Sequence, residues 1–132
     1  GNCLHNETIE SVEIPDSVTL IADLAFDNCT FLASVSLSQN LKSMGLGVFT
    51  DCVRLSAVTL PNTLTYVPCQ TFKNCTLLRH ISIPENITEI HENAFFNSGI
   101  ETIDFKEGIT VIGCGAFAYT MIKTVVLPQS VK

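Results

Sequence analysis

The side chains able to do chemistry in this chain are six cysteines, three histidines and thirteen carboxylates. Cys29, Cys52 and Cys75 recur at an interval of 23 residues, each three places after a phenylalanine. A thiolate metal site needs convergent ligands at short spacing, such as CxxC or paired histidines. The chain contains no CxxC and no HxxxH, so no metal and no cofactor are expected. A catalytic Cys–His pair needs an imidazole within reach of a reactive thiol. His5, His80 and His91 fall at unrelated places in the repeating pattern, so no catalytic residue is predicted. With no nucleophile–base or metal constellation, the expectation is a protein that is not an enzyme.

Even spacing of the cysteines reflects a period that runs through the whole chain. Phe26, Phe49, Phe72 and Phe95 are 23 residues apart, and Phe117 follows after 22. Ile14, Leu37, Leu60, Ile83, Phe105 and Leu127 keep the same register. So do Val12, Val35, Val58, Ile81, Ile103 and Val125, and so do Ile9, Leu32, Leu55, Leu78, Ile100 and Ile122. Self-similarity at a fixed period of this size marks a solenoid or a propeller. A period near 23 is too short for a helical pair or a four-stranded blade. It fits one strand and a return path per coil.

Within a coil, Val12 and Ile14 alternate with Glu13, the pattern of a strand with one buried face. Pro15, Pro61, Pro84 and Pro128 then stop the strand, since proline donates nothing to a ladder. Turn formers Ser17, Asn40, Thr63, Asn86 and Gly108 follow. A second extended piece is predicted over 18–21, 41–44, 64–67, 87–90 and 109–112, with apolar residues at both ends. Too little chain remains before each phenylalanine for an α-helix, so a single helical or 3₁₀ turn is predicted there. The reading is a repeat solenoid of about five and a half coils of 22–23 residues. Its parallel sheet lies on one face, with short extended and 3₁₀ segments on the return path. Six stacked strands at ~4.8 Å would make a sheet roughly 25 Å across.

In that frame, Cys29, Cys52 and Cys75 read as a ladder of buried thiols packing as small hydrophobes. Parallel Cβ vectors oppose a disulfide between neighbouring coils. Repeats four and five lose both this cysteine and one turn residue, so the cysteine is expected to fill a pocket made by the longer turn. Cys69 and Cys114 share another position two coils apart, too far for a bridge. Cys3 is the cysteine expected to be most exposed. Asn-x-Thr sequons stand at Asn6, Asn28, Asn74 and Asn86. Asn28 and Asn74 align with Asp51 and Asn97, a position whose side chain is expected to fold onto the turn backbone. Asn6 and Asn86 sit in turns that read as more open and are the candidate glycosylation sites.

These residues resemble the BspA-like leucine-rich-repeat family, whose pattern is roughly LxxIxIPxxVxxIxxxAFxxC. The copies beginning at Leu32, Leu55 and Leu78 follow it. The sequence departs where Ser38 and Lys106 replace the proline and Ser98 replaces the cysteine. The resemblance implies a curved solenoid with a parallel sheet on one face. It also implies a cell-surface or secreted protein of a host-associated bacterium or parasitic protist, used for adhesion and protein binding.

If the chain binds a ligand, the outward residues of the first strands are the expected surface. The candidates are Arg79, His80, Ser82, Glu101 and Asp104; Phe96 and Tyr119 form a second patch. The partner would be a protein or glycan on a host or neighbouring cell. The alternative is a structural spacer, or a self-assembling repeat segment without its own ligand. The net charge of -6 argues against nucleic acid or an anionic membrane as a partner. No apolar run approaches the ~18 residues of a membrane span, so no membrane insertion is expected. Residues 1–132 read as a single domain cut from a longer array, because the last coil stops halfway and neither end looks capped. Open ends of this kind are candidates for self-association. With no initiator Met and no signal-peptide pattern, a mature or trimmed chain is expected, Gly1 being a cloning remnant.

Overall fold

The fold is described by a computed structural model over residues 9–122. Cys3, His5, Asn6 and the half-coil after Ile122 lie outside the described residues. Five coils are present there, each with a three-residue first strand and a two-residue second strand. The first strands are β1 (Ser11–Glu13), β3 (Ser34–Ser36), β5 (Ala57–Thr59), β7 (His80–Ser82) and β9 (Thr102–Asp104). The second strands are β2 (Leu20–Ile21), β4 (Ser43–Met44), β6 (Tyr66–Val67), β8 (Glu89–Ile90) and β10 (Val111–Ile112). All pairings are parallel and join equivalent positions, such as Val12 with Val35 and Ile81 with Ile103. The chain is therefore the parallel solenoid that its period demands.

The short strands carry few hydrogen bonds, and the return path supplies the rest. Along residues 24–29 the N–H groups of Leu24, Phe26 and Asn28 donate to carbonyls of Leu46, Val48 and Thr50 in the next coil. The intervening N–H groups of Ala25, Asp27 and Cys29 donate three residues back, within their own coil. The same alternation recurs at Gly47, Phe49 and Asp51, at Gln70, Phe72 and Asn74, and at Asn93, Phe95 and Asn97. This corrects the 3₁₀ expectation. In a 3₁₀ turn every N–H bonds to the carbonyl three residues back, whereas here every second one bonds to the neighbouring coil. Alternation needs left-handed backbone at two places per coil. The first is Leu24, Gly47, Gln70, Asn93 and Gly115, with φ from 56° to 70°. The second is Asn28, Asp51, Asn74, Asn97 and Tyr119, mostly the Asn and Asp that tolerate this region.

The core lies between the two sheets and this turn ladder. Leu32, Leu55, Leu78 and Ile100 are fully buried, as are Phe49, Phe72 and Phe95. The phenylalanine rings stack at 5.8, 5.7, 5.3 and 5.3 Å between centroids from Phe26 to Phe117, with interplanar angles of 17° or less. That spacing exceeds the ~4.8 Å coil rise, so the rings stack offset, the arrangement their quadrupoles favour.

Where the consensus fails, local chemistry compensates. Pro15, Pro61 and Pro84 accept a turn bond from the residue three places on. Ser38, in the proline position, is buried; its hydroxyl donates to Val18 O (2.7 Å) and accepts from Asn40 N–H (3.0 Å). Pro68 has the opposite effect. At its position Gly45, His91 and Gly113 each donate to the preceding coil, but Pro68 has no N–H. The second sheet is interrupted there, between β4 and β6. The first sheet is interrupted one coil later, between β5 and β7.

The cysteines divide. Cys52 and Cys75 are fully buried free thiols whose Sγ donates to the carbonyls of Phe26 and Phe49, both at 3.1 Å. Cys29 corrects the thiol ladder, because it is disulfide-bonded. Cys52, Cys69, Cys75 and Cys114 are all free, so the bond does not run along the ladder, as its parallel Cβ vectors require. Ser98 is buried at the equivalent place in coil four, and its hydroxyl finds no hydrogen-bond partner among the described residues. The one-residue deletion after it draws Gly99 against coil three; a Cβ there would lie 2.1 Å from Thr76 O.

The packing of this core makes three outcomes measurable. Phe72→Ala should cost about 3–5 kcal/mol in urea unfolding, through lost burial and the cavity between two stacked rings. Phe31→Ala, at a ring 38% exposed, should cost far less. Burial pushes the Cys52 thiol up from 9.0 to about 12 and the Cys75 thiol well above its ordinary value. Between those two values the folded chain keeps a proton on Cys52 that the unfolded chain has lost, so stability falls as pH rises from 9.0 toward 12. Cys52→Ala should flatten part of that alkaline slope. A disulfide-exchange reagent should label the exposed Cys114 first, and Cys52 and Cys75 only on unfolding. Equal labelling rates under native conditions would contradict the burial.

Candidate functional site

Each first strand turns its middle residue inward and its two flanking residues outward. Parallel register then places outward residues of successive coils in rows. Ser11, Ser34, Ala57, His80 and Thr102 form one row; Glu13, Ser36, Thr59, Ser82 and Asp104 form the other. Over β1, β3 and β5 the rows are short side chains apart from Glu13, and they bound a shallow open groove of about 320 Å³. Charge and imidazole collect on β7 and β9.

The five candidate binding residues come together on this two-stranded sheet. Arg79 Nη1 contacts Glu101 Oε2 at 2.6 Å, with both side chains about half exposed. His80 Nδ1 lies 2.7 Å from Thr102 Oγ1, and its Nε2 lies 3.5 Å from Asp104 Oδ2. Ser82 Oγ donates to the same Asp104 oxygen at 3.2 Å. Thr102 completes the cluster and was not among the residues singled out for binding. Its signal was present in the sequence, since it shares a repeat position with His80 at a spacing of 22. The same rule pairs Arg79 with Glu101 and Ser82 with Asp104.

Thr102, His80 and Asp104 stand in the order hydroxyl, imidazole, carboxylate. In a hydrolytic triad the carboxylate is buried, and preorganised donors await an oxyanion in a water-excluded site. Here the His80 and Asp104 side chains are 53% and 57% exposed on an open sheet. The arrangement suits recognition: one guanidinium, one imidazole, two carboxylates and two hydroxyls presented in a fixed plane. Exposed ion pairs contribute only ~0–1 kcal/mol to folding, so the cluster is not needed to hold the coils together.

Other polar groups serve the stack. His91 Nε2 contacts Glu89 Oε1 at 2.9 Å, and its ring stacks on Tyr66 at 4.8 Å. Neither His80 nor His91 contacts a thiol among the described residues. Asn74 donates to Asp51 Oδ1 at 2.6 Å and accepts from Asn97 at 3.0 Å, so this position forms a side-chain ladder across the coils. Asn86 is exposed, but its amide donates to Asn62 O at 2.6 Å. Phe96 meets Tyr119 edge-on at 5.3 Å, Lys73 Nζ sits 5.6 Å from the Phe96 ring, and Tyr119 is 76% exposed. Among the described residues no group of His, Cys, Asp and Glu is arranged to hold a metal ion. No helix among them is long and apolar enough to cross a membrane.

Comparison with known proteins supports the same architecture. A family model described as the BspA type leucine-rich repeat region matches residues 1–123 in six copies. A leucine-rich repeat protein of T. pallidum superposes with a TM-score of 0.88 at 27% identity, covering 93% of this chain and 61% of that one. A leucine-rich cell surface protein of Faecalibacterium prausnitzii gives 0.63 at 27% identity, covering 92% and 41%. A leucine-rich repeat protein of Bacteroides ovatus shares the fold at 0.61 and 20% identity, covering 94% and 44%. The chain thus spans less than two thirds of the length of each of these solved proteins. No curated protein matches it. The repeat pattern, the coil geometry and the match across residues 1–123 place the chain in the BspA-type leucine-rich-repeat family.

Proposed function

We propose that this chain is a non-enzymatic, cell-surface or secreted protein-binding and adhesion module that recognises its partner through the sheet face at β7 and β9. The observation that carries this reading is the exposed cluster of Arg79, His80, Ser82, Glu101 and Asp104, paired across two strands. A flat, polar, preordered plane loses little side-chain entropy on binding. Arg79, at the edge of this face beside the start of β7, carries a planar fork of the kind that matches a carboxylate on a partner. Export fits the disulfide at Cys29, since such bonds persist in oxidising compartments. It also fits the F. prausnitzii relative, a cell surface protein. The partner is a protein or glycan on a host or neighbouring cell.

The second reading is a structural spacer. It is favoured because every charge of the cluster is already answered within the sheet. Self-association of solenoid ends belongs to the same reading; those ends lie outside the described residues.

A panel of immobilised extracellular proteins and glycans, read by interferometry, separates the two. Binding should fall at least about tenfold, or ~1.4 kcal/mol, in Arg79→Ala/His80→Ala and persist in Lys42→Ala, an exposed change away from the face. Circular dichroism and unfolding should be unchanged in both. A ligand held equally by both variants, or no ligand at all, would move the account to the spacer.

A further inference from the structure

Three sequons lie within the described residues, and the structure distinguishes them. Asn-x-Thr acceptors need an accessible amide nitrogen and a free hydroxyl two residues on. At Asn74 the amide donates to Asp51 at 2.6 Å and its oxygen accepts from Asn97, while the Thr76 hydroxyl faces Val53 O at 3.4 Å. At Asn86 the amide donates to Asn62 O at 2.6 Å, and the Thr88 hydroxyl faces Thr65 O at 3.4 Å. Asn28 and Thr30 are both exposed, and neither side chain makes a hydrogen bond among the described residues.

We propose that Asn28 is the acceptor of an N-linked glycan. Its backbone is fixed by the N–H bond to Thr50 O at 2.7 Å and by a left-handed φ of 59°, so the side chain leaves a rigid turn. Asn28 opens the ladder position occupied by Asp51, Asn74 and Asn97, but its own amide takes no part in it. The neighbouring Cys29 is disulfide-bonded, which places the sequon in the oxidising compartment that glycosylation of exported chains shares. The donor is an oligosaccharide linked to a lipid pyrophosphate. Asn28 Nδ2 attacks the anomeric carbon; the new C–N bond forms as the C–O bond to pyrophosphate breaks. The lipid pyrophosphate leaves with that electron pair, and Nδ2 gives one proton to a base of the transferase. The glycan would project from the turn ladder, leaving the β7–β9 face open.

The proposal rests on the export that the preceding reading also assumes, but its readout is independent of any ligand. The chain is secreted from a eukaryotic cell and treated with peptide N-glycosidase in heavy-oxygen water, and each labelled Asp is mapped by mass spectrometry. The expected result is label at Asn28 with Asn74 and Asn86 unmodified. Thr30→Ala should abolish the label at Asn28, and Thr30→Ser should keep it. Label confined to Asn6, Asn74 or Asn86, or absent altogether from the secreted chain, overturns the proposal. Loss of binding in Arg79→Ala/His80→Ala with an unlabelled Asn28 would sink this inference alone.

Discussion

Backbone hydrogen bonding between equivalent positions of successive coils is the constraint on which everything else depends. Strands of two or three residues give each coil too few ladder bonds to hold a neighbour. The turn run adds three more per coil, from residues such as Gln70, Phe72 and Asn74 to Glu92, Ala94 and Phe96. Buried backbone polar groups must be paired, and a coil cannot satisfy all of its own. It needs the next one. That requirement fixes the register, and the register fixes the rest. The phenylalanine that donates to the next coil also stacks on its counterpart there.

Side chains follow from the same rule. A residue sees its own repeat position one coil away, at about 4.8 Å. Apolar positions become ladders of Leu, Ile and Phe. Polar positions become ladders too, as in Asn97, Asn74 and Asp51. On the exposed sheet, Arg79 meets Glu101 and His80 meets Thr102 for no other reason. Function in such a molecule is a choice of what to write on outward rows, since inward rows are committed to packing. This chain writes short side chains, Glu13 excepted, on three coils and a charged, imidazole-bearing cluster on the next two. The interruption of the first sheet between β5 and β7 falls between those two territories.

Much of this was legible in the residues. The spacing of Phe26, Phe49, Phe72, Phe95 and Phe117 gave the coil, the core and the inward rows without coordinates. The binding candidates follow from their place on the outward rows, and the structure brings all five together; that they bind a partner is a proposal. The turn run was misread because its residues admit a 3₁₀ turn, and only the neighbouring coil reveals which N–H groups turn outward. The disulfide at Cys29 was hidden because the regular interval to Cys52 and Cys75 pointed to a shared role. The gap after β4 was visible in principle. Pro68 stands where His91 and Gly113 donate, but only the ladder gives that N–H a purpose.

The most direct measurement is scalar coupling across hydrogen bonds by NMR, from backbone nitrogen to acceptor carbonyl carbon. The account predicts couplings from Phe49 to Thr71, Phe72 to Ala94 and Phe95 to Ala116, alternating with bonds such as Lys73 to Gln70. A run of bonds three residues back at every position, with no coupling between coils, would mean a helical return path and would contradict the account.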